Sequence, residues 1–179
     1  MIYVALLRGI NVGGNNKVDM KKLKQVFEEA GMSSVKTYIN SGNIIFTDTN
    51  RSKKEITAVL EEAIYSHFDL QIKVLVYSFD EFKPIAEAIP AEWTNDTEMK
   101  SDVLFLWEEV DTESVLDALT VKPEIDTVYY VQGAVLWSVD RNNVTKSGMA
   151  KIIGTPLYKL VTIRNINTAR KLYAMMQKE

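Results

Sequence analysis

Residues 35–46 read VKTYINSGNIIF. Two runs rich in β-branched and aromatic residues, 35–39 and 43–47, stand on either side of Ser41-Gly42, which is the signature of a β-hairpin. The neighbours of this hairpin determine what it means for the fold. Upstream, 2–7 (IYVALL) is an unbroken apolar run suited to a buried strand. Residues 19–31 then place Met20, Leu23, Val26, Phe27 and Ala30 at i, i+3, i+4 spacing and stop at Gly31, as an amphipathic helix does. Downstream, 52–67 carries Ile56, Val59, Leu60, Ala63 and Ile64 on one helical face, and 72–77 is a fourth strand. The order is βαββαβ, the split βαβ or ferredoxin-like plait.

The pattern then begins again. A short helix at 82–89 and a polar stretch at 93–100 lead to a strand at 103–107 and a helix at 112–119. A tight hairpin follows, 127–131 and 135–139 around Gln132-Gly133. After it come a short helical piece at 146–153, a strand at 160–164 and a closing helix at 168–177 with Ala169, Leu172, Tyr173 and Met176 inward. YINSGNIIF and YYVQGAVLW align without a gap on tyrosine, glycine and a final aromatic, which points to internal duplication. The expected class is α/β (α+β): two ferredoxin-like plaits with mainly antiparallel sheets, plus a C-terminal helix. The expected domains are 1–78, a connector at 79–100, and 101–179.

The chain has 179 residues, 46% of them apolar, enough for two compact cores. It has no cysteine, which excludes disulfides, a thiolate nucleophile and sulfur-ligated metal sites. The apolar run at 2–7 is too short for a signal-peptide core, so a cytoplasmic protein is expected, with no membrane role. The net charge of −3 argues against a generic nucleic-acid binder. Its distribution says more: 80–126 holds fourteen acids against three lysines, and 141–179 holds eight cations against one acid. That polarity fits a face suited to anions, and it equally fits ordinary solvated surface charge.

LLRGINVGGNNKVDMKKL (6–23), VKTYINSGNIIF (35–46) and TIRNINTARKL (162–172), in that order, resemble the bacterial domain-of-unknown-function family 1697. The resemblance spans essentially the whole chain. It implies two ferredoxin-like plaits and no established activity. In the last motif Ile166 stands where the family pattern often has tryptophan, so any stacking role of that ring is lost here.

In a plait the first and second strands run parallel, so the loop after the first and the hairpin after the second leave the sheet at one edge. That brings Arg8, Asn11, Gly13, Gly14, Asn15, Asn16 and Lys17 toward Asn40, Ser41, Gly42 and Asn43. Glycines let backbone N–H groups turn to one point, amides add neutral donors, and Arg8 and Lys17 add charge: the ingredients of an anion site. The comparison with a phosphate loop fails, because Asn15 and Asn16 separate Gly14 from Lys17, and Val18 replaces the magnesium-binding hydroxyl.

Ser52-x-x-Glu55 and Ser78-x-x-Glu81 are capping boxes that set a carboxylate at the positive end of a helix. With Asp19 and Asn167 as N-caps, Lys22 and Arg170 would instead oppose the dipole, beside Lys21 and Lys171. Lys21, Lys22, Arg164, Asn165, Arg170 and Lys171 are therefore secondary anion candidates, conditional on the two domains turning those helix starts to one cleft. Each motif also has a structural reading: Gly13-Gly14 as a positive-φ turn, 40–43 as hairpin chemistry, and Arg164-Asn165 as a pin for the last helix.

No cofactor and no metal site is expected, and no catalytic residue can be named. His67, the only histidine, falls on the apolar face near a helix end, where it would pack and cap carbonyls. The acids at 108–113 lie at a strand exit, with Asp111 or Thr112 as a helix cap. Tyr3, Phe46, Tyr129, Tyr130 and Trp137 are expected to pack rather than stack on RNA bases. The expected partner is a phosphate-bearing or carboxylate small molecule, or a nucleic-acid backbone. The rival readings are a small-molecule enzyme and an interaction or oligomerisation module.

Overall fold

The structure is a computed structural model that describes residues 1–179. Its first sheet is built from β1 (Ile2–Leu7), β2 (Ser33–Tyr38), β3 (Asn43–Thr47) and β4 (Val74–Ser78) in the order β2-β3-β1-β4. Every neighbouring pair is antiparallel, with Leu6 opposite Asn43 and Leu7 opposite Val74. Helices α1 (Met20–Glu29) and α2 (Lys53–Phe68) make the two crossovers. This is the ferredoxin-like order. The apolar stripes meet one face of the sheet: Leu23 and Phe27 of α1 and Ile56, Leu60 and Ile64 of α2 bury with Ala5, Leu7, Ile44 and Phe46. Phe27 meets Phe46 edge-on at 5.7 Å and Tyr3 stacks on it at 5.6 Å; such pairs add about 0.5–1.5 kcal/mol beyond burial.

The second sheet repeats the order. β5 (Met99–Leu106), β6 (Asp126–Val131), β7 (Ala134–Asp140) and β8 (Val161–Asn165) stand as β6-β7-β5-β8, all antiparallel. α3 (Phe79–Ala88) leads out of β4, and α4 (Ile166–Met176) follows β8 directly. Two compact units result: Met1–Phe82 with Leu172–Glu179, and Lys83–Lys171.

The second sheet lacks its crossover α-helices. The helix expected at 112–119 is a 3₁₀ segment, Glu113–Ala118, whose N-cap residue Thr112 makes no side-chain cap bond. The carboxylate that could have capped it is spent elsewhere: Asp111 Oδ1 accepts from Tyr130 Oη at 2.8 Å and from the Gly133 N–H at 2.7 Å. A run this short is marginal as an α-helix without a cap. The connection from β7 to β8 is three 3₁₀ segments, Arg141–Lys146, Met149–Gly154 and Pro156–Leu160, interrupted by Gly148, Gly154 and Pro156. Val115, Leu119, Ile152 and Leu157 from these segments still cover Leu104, Leu106, Val135 and Trp137. Burial of the apolar face is conserved between the sheets while the helical geometry is not.

Candidate functional site

The backbone brings the glycine loop and the first hairpin to one rim of the first sheet. Leu7 N–H donates to the Gly42 carbonyl at 2.9 Å, and Arg8 N–H to the Lys73 carbonyl at 3.0 Å. Beyond them the loop folds back on itself. Asn15 N–H donates to the Val12 carbonyl at 2.9 Å, and Asn11 N–H to the Asn16 carbonyl at 3.1 Å. Gly13 and Gly14, at φ +56° and +78°, are the two central residues of this tight turn, where both φ must be positive as in type I′. Open space surrounds the position of a Cβ at either glycine, so the residue type answers to φ alone.

Several candidate side chains are structural fasteners. Asn11 Nδ2 donates to the Val18 carbonyl at 3.1 Å and to the Asn40 carbonyl at 2.7 Å, while its Oδ1 accepts from Val18 N–H at 2.8 Å. That one amide ties the loop to the hairpin. Asn16 Nδ2 donates to the Gly9 carbonyl at 2.9 Å. Asn43 is fully buried, its Nδ2 donating to the Tyr38 carbonyl at 3.2 Å and to Ser41 Oγ at 2.8 Å. Gly42 is glycine on two counts: φ is +85°, and a Cβ would lie 2.7 Å from Leu7 Cβ.

Gly13, Gly14, Asn15, Asn16, Lys17 and Asn40 face solvent at the rim, with Arg8 and Ser41 half-buried. The Gly13 and Gly14 N–H groups make no hydrogen bond within the chain. α1 begins beside them. Asp19 Oδ1 accepts from the Lys21 and Lys22 N–H groups at 2.8 and 3.1 Å, so this helix start is filled by the chain's own carboxylate, as expected of an Asp19 N-cap. Lys22 Nζ stands 5.1 Å from the Phe68 ring centroid, a cation–π contact. Lys17 and Lys21 are exposed and have no carboxylate partner.

The other secondary candidates belong to the second unit. Arg164 is buried, donating through Nη1 to Thr162 Oγ1 at 2.9 Å and the Ile163 carbonyl at 3.0 Å. Burial pulls its guanidinium down to about 10, so it stays charged at neutral pH. Arg170 spreads its fork over the chain's own carbonyls, Nη1 to Trp93 at 2.8 Å and Nη2 to Pro90 at 3.0 Å. The cap of α4 is not Asn167. Asn165 Oδ1 accepts from Thr168 N–H at 3.0 Å, and Asn167 Nδ2 donates to the Asn95 carbonyl at 3.0 Å; the helix starts a residue pair earlier than its apolar rhythm suggests, because β8 runs straight into it. Lys171 remains exposed.

His67 is not the cap of its helix, a role taken by Asp69, whose N–H donates to the Tyr65 carbonyl; its Nδ1 lies 2.8 Å from the Ala63 carbonyl one turn back, and it is exposed rather than packed, with Nε2 3.2 Å from Glu29 Oε2. His67 and Glu29 border an apolar hollow of about 550 Å³ between α1 and α2, lined by Val26, Ala30, Val59 and Ala63. Tyr3, Phe46 and Trp137 are buried, whereas Tyr129 is exposed and stacks on Trp93 at 5.7 Å.

Sequence reasoning missed two polar clusters of the second unit. Asp126 is buried and accepts four bonds: Trp137 Nε1 at 3.1 Å and Ser147 Oγ at 2.6 Å on Oδ1, and Lys122 N–H at 3.0 Å and Gly148 N–H at 3.3 Å on Oδ2. Burial works to raise its pKa, and the bonds from Ser147, Lys122, Trp137 and Gly148 outweigh it, leaving the carboxyl below its ordinary value. In the other cluster, burial first and the Asp111 carboxylate second push the Tyr130 phenol up to about 12. No motif announces either, since the partners lie up to 22 residues apart in sequence.

The fold is an α/β one with two antiparallel sheets of the same strand order, of the kind the three motifs suggest. The chain belongs to the protein family of unknown function DUF1697, whose model matches residues 1–137. It is similar to the conserved bacterial protein SP0830 from Streptococcus pneumoniae, at 33% identity over 98% of both chains with a TM-score of 0.83. The small subunit of acetolactate synthase from Thermotoga maritima aligns over 92% of this chain and 91% of its own, at 17% identity and a TM-score of only 0.24. No curated protein matches the chain.

Proposed function

We propose that this protein binds an anionic ligand, a phosphate or carboxylate group, at the rim formed by residues 8–17 and 40–43. One observation carries the reading: the Gly13-Gly14 turn leaves two backbone N–H groups without a partner, within a few residues of Lys17 and Lys21, exposed cations that form no ion pair. Converging N–H donors and cations are the common means of holding an oxyanion. The roles divide accordingly. Gly13 and Gly14 donate, Asn15 orients, and Arg8, Lys17 and Lys21 neutralise, while Asn11, Gly42 and Asn43 hold the loop and hairpin in register. Residues 1–78 and 101–179 are read as two copies of one duplicated plait joined by 79–100, and the cysteine-free chain as a cytoplasmic binding protein. The reading stops at binding.

Thermal-shift and calorimetric titration with inorganic phosphate, pyrophosphate and a nucleoside triphosphate test it. The wild type should be stabilised in proportion to ligand. Lys17→Ala with Lys21→Ala should weaken binding by about tenfold, since each exposed ion pair contributes on the order of 0.2–1 kcal/mol. Equal shifts for both proteins, or none for either, would remove the rim as the site.

A further inference from the structure

We infer that the same rim docks an acidic protein segment carrying an aliphatic or aromatic side chain between its carboxylates. This rests on the anion-binding reading and gives it a ligand class, but the observation behind it is separate. Val12 and Ile39 are 63% and 52% exposed. They sit next to Asn11 and Asn40, the pair whose 2.7 Å bond ties the loop to the hairpin, so both stand along that seam. Ile10, on the same loop, is 1% exposed; the loop therefore has a buried apolar anchor already and does not need Val12 for packing.

Ile39 is the sharper case. Its φ is +48°, a left-handed conformation that strains a β-branched residue and that asparagine or glycine adopts readily. A position serving only the turn would favour one of those residues. An isoleucine held there, about half exposed, offers apolar surface at a cost in stability, the pattern of a site kept for a partner.

The charge around the pair selects the occupant. Lys17 lies further along the loop from Val12 and Lys21 in the first turn of α1; neither forms an ion pair, and the carboxylate between them, Asp19, is engaged by the Lys21 and Lys22 N–H groups. A partner matching both features carries acids flanking an apolar anchor, as short docking segments do. A nucleic-acid strand matches only the cations: Val12 and Ile39 offer no ring on which a base could stack, and the chain's net charge of −3 disfavours a general polyanion.

The test is a display library of random dodecapeptides panned on the full chain, followed by fluorescence anisotropy with the enriched peptides. Selected sequences should place Asp or Glu around Leu, Ile, Phe or Trp. Val12→Ser with Ile39→Asn should weaken their binding by about tenfold or more while leaving the melting temperature unchanged or higher, because asparagine suits the backbone at position 39. Lys17→Ala with Lys21→Ala should weaken it by about tenfold and flatten its salt dependence. No enrichment, enriched peptides without acids, or affinity indifferent to Val12 and Ile39 would each overturn the inference. So would an oligodeoxythymidylate whose binding depends on Val12 and Ile39, which would assign the rim to nucleic acid. If phosphate still binds through Lys17 and Lys21 while the peptides fail, this inference falls and the anion site stands; if phosphate fails too, both fall.

Discussion

Three glycines show how one residue type answers to three different demands. At Gly148 a Cβ would lie 1.3 Å from the Thr120 carbonyl oxygen, with no positive φ to explain the choice; the site is closed by backbone. At Gly42 both constraints act, and at Gly13 only φ does. Alanine substitution should therefore rank in cost as Gly148 above Gly42 above Gly13, with Gly13→Ala near 1 kcal/mol and Gly148→Ala at about 4 kcal/mol or more, read from urea midpoints. Asp126 sits beside the first of these. Its folded pKa is lowered, so its contribution is present above the unfolded value of about 3.9 and disappears as pH falls through the folded value. Asp126→Asn should cost on the order of 3 kcal/mol at neutral pH, because one accepting oxygen becomes a donor facing donors. It should also reduce the acid-limb slope of stability against pH; an unchanged slope would place the acid sensitivity elsewhere.

The helices differ in how their first turns are satisfied. α2 has a complete capping box, Ser52 Oγ accepting from Glu55 N–H at 3.2 Å and Glu55 Oε2 from Ser52 N–H at 2.7 Å, and Ser78 with Glu81 repeats it at α3. α1 relies on Asp19 alone, with lysines in its first turn. Asp19→Ala should destabilise the protein by about 1 kcal/mol and yet tighten phosphate binding, since it frees two N–H groups and removes a carboxylate two residues from both Lys17 and Lys21. Calorimetry on this variant would contradict the rim's assignment if binding weakened. These caps were readable from sequence because they are local, four-residue patterns. So were the strand order and the apolar stripes of α1 and α2, which repeat at fixed spacing. The 3₁₀ segments of the second unit were not, because the decisive fact, the diversion of Asp111 to Tyr130 and Gly133, is a contact across some twenty residues. Asn167 misled for the opposite reason: it has the right chemistry for a cap, but β8 running without a break into α4 hands that position to Asn165.

As a whole, the chain carries one strand order twice, with α-helices covering the first sheet's core face and 3₁₀ segments the second's. The glycine-rich turn and the exposed lysines at the strand edge belong to the first unit alone. No helix is long and apolar enough to cross a membrane. The sequence correctly brought the loop and hairpin to one edge, but it did not distinguish the amides that hold them together, Asn11 and Asn43, from the groups left facing solvent. That distinction depends on burial and on specific distances. Amide ¹H–¹⁵N spectra recorded during titration with inorganic phosphate or pyrophosphate read those solvent-facing groups one by one. Saturable shifts should concentrate at the Gly13 and Gly14 N–H groups and their neighbours through Lys17. Shifts that are absent, non-saturating, or centred on residues away from this loop would contradict anion binding at the rim.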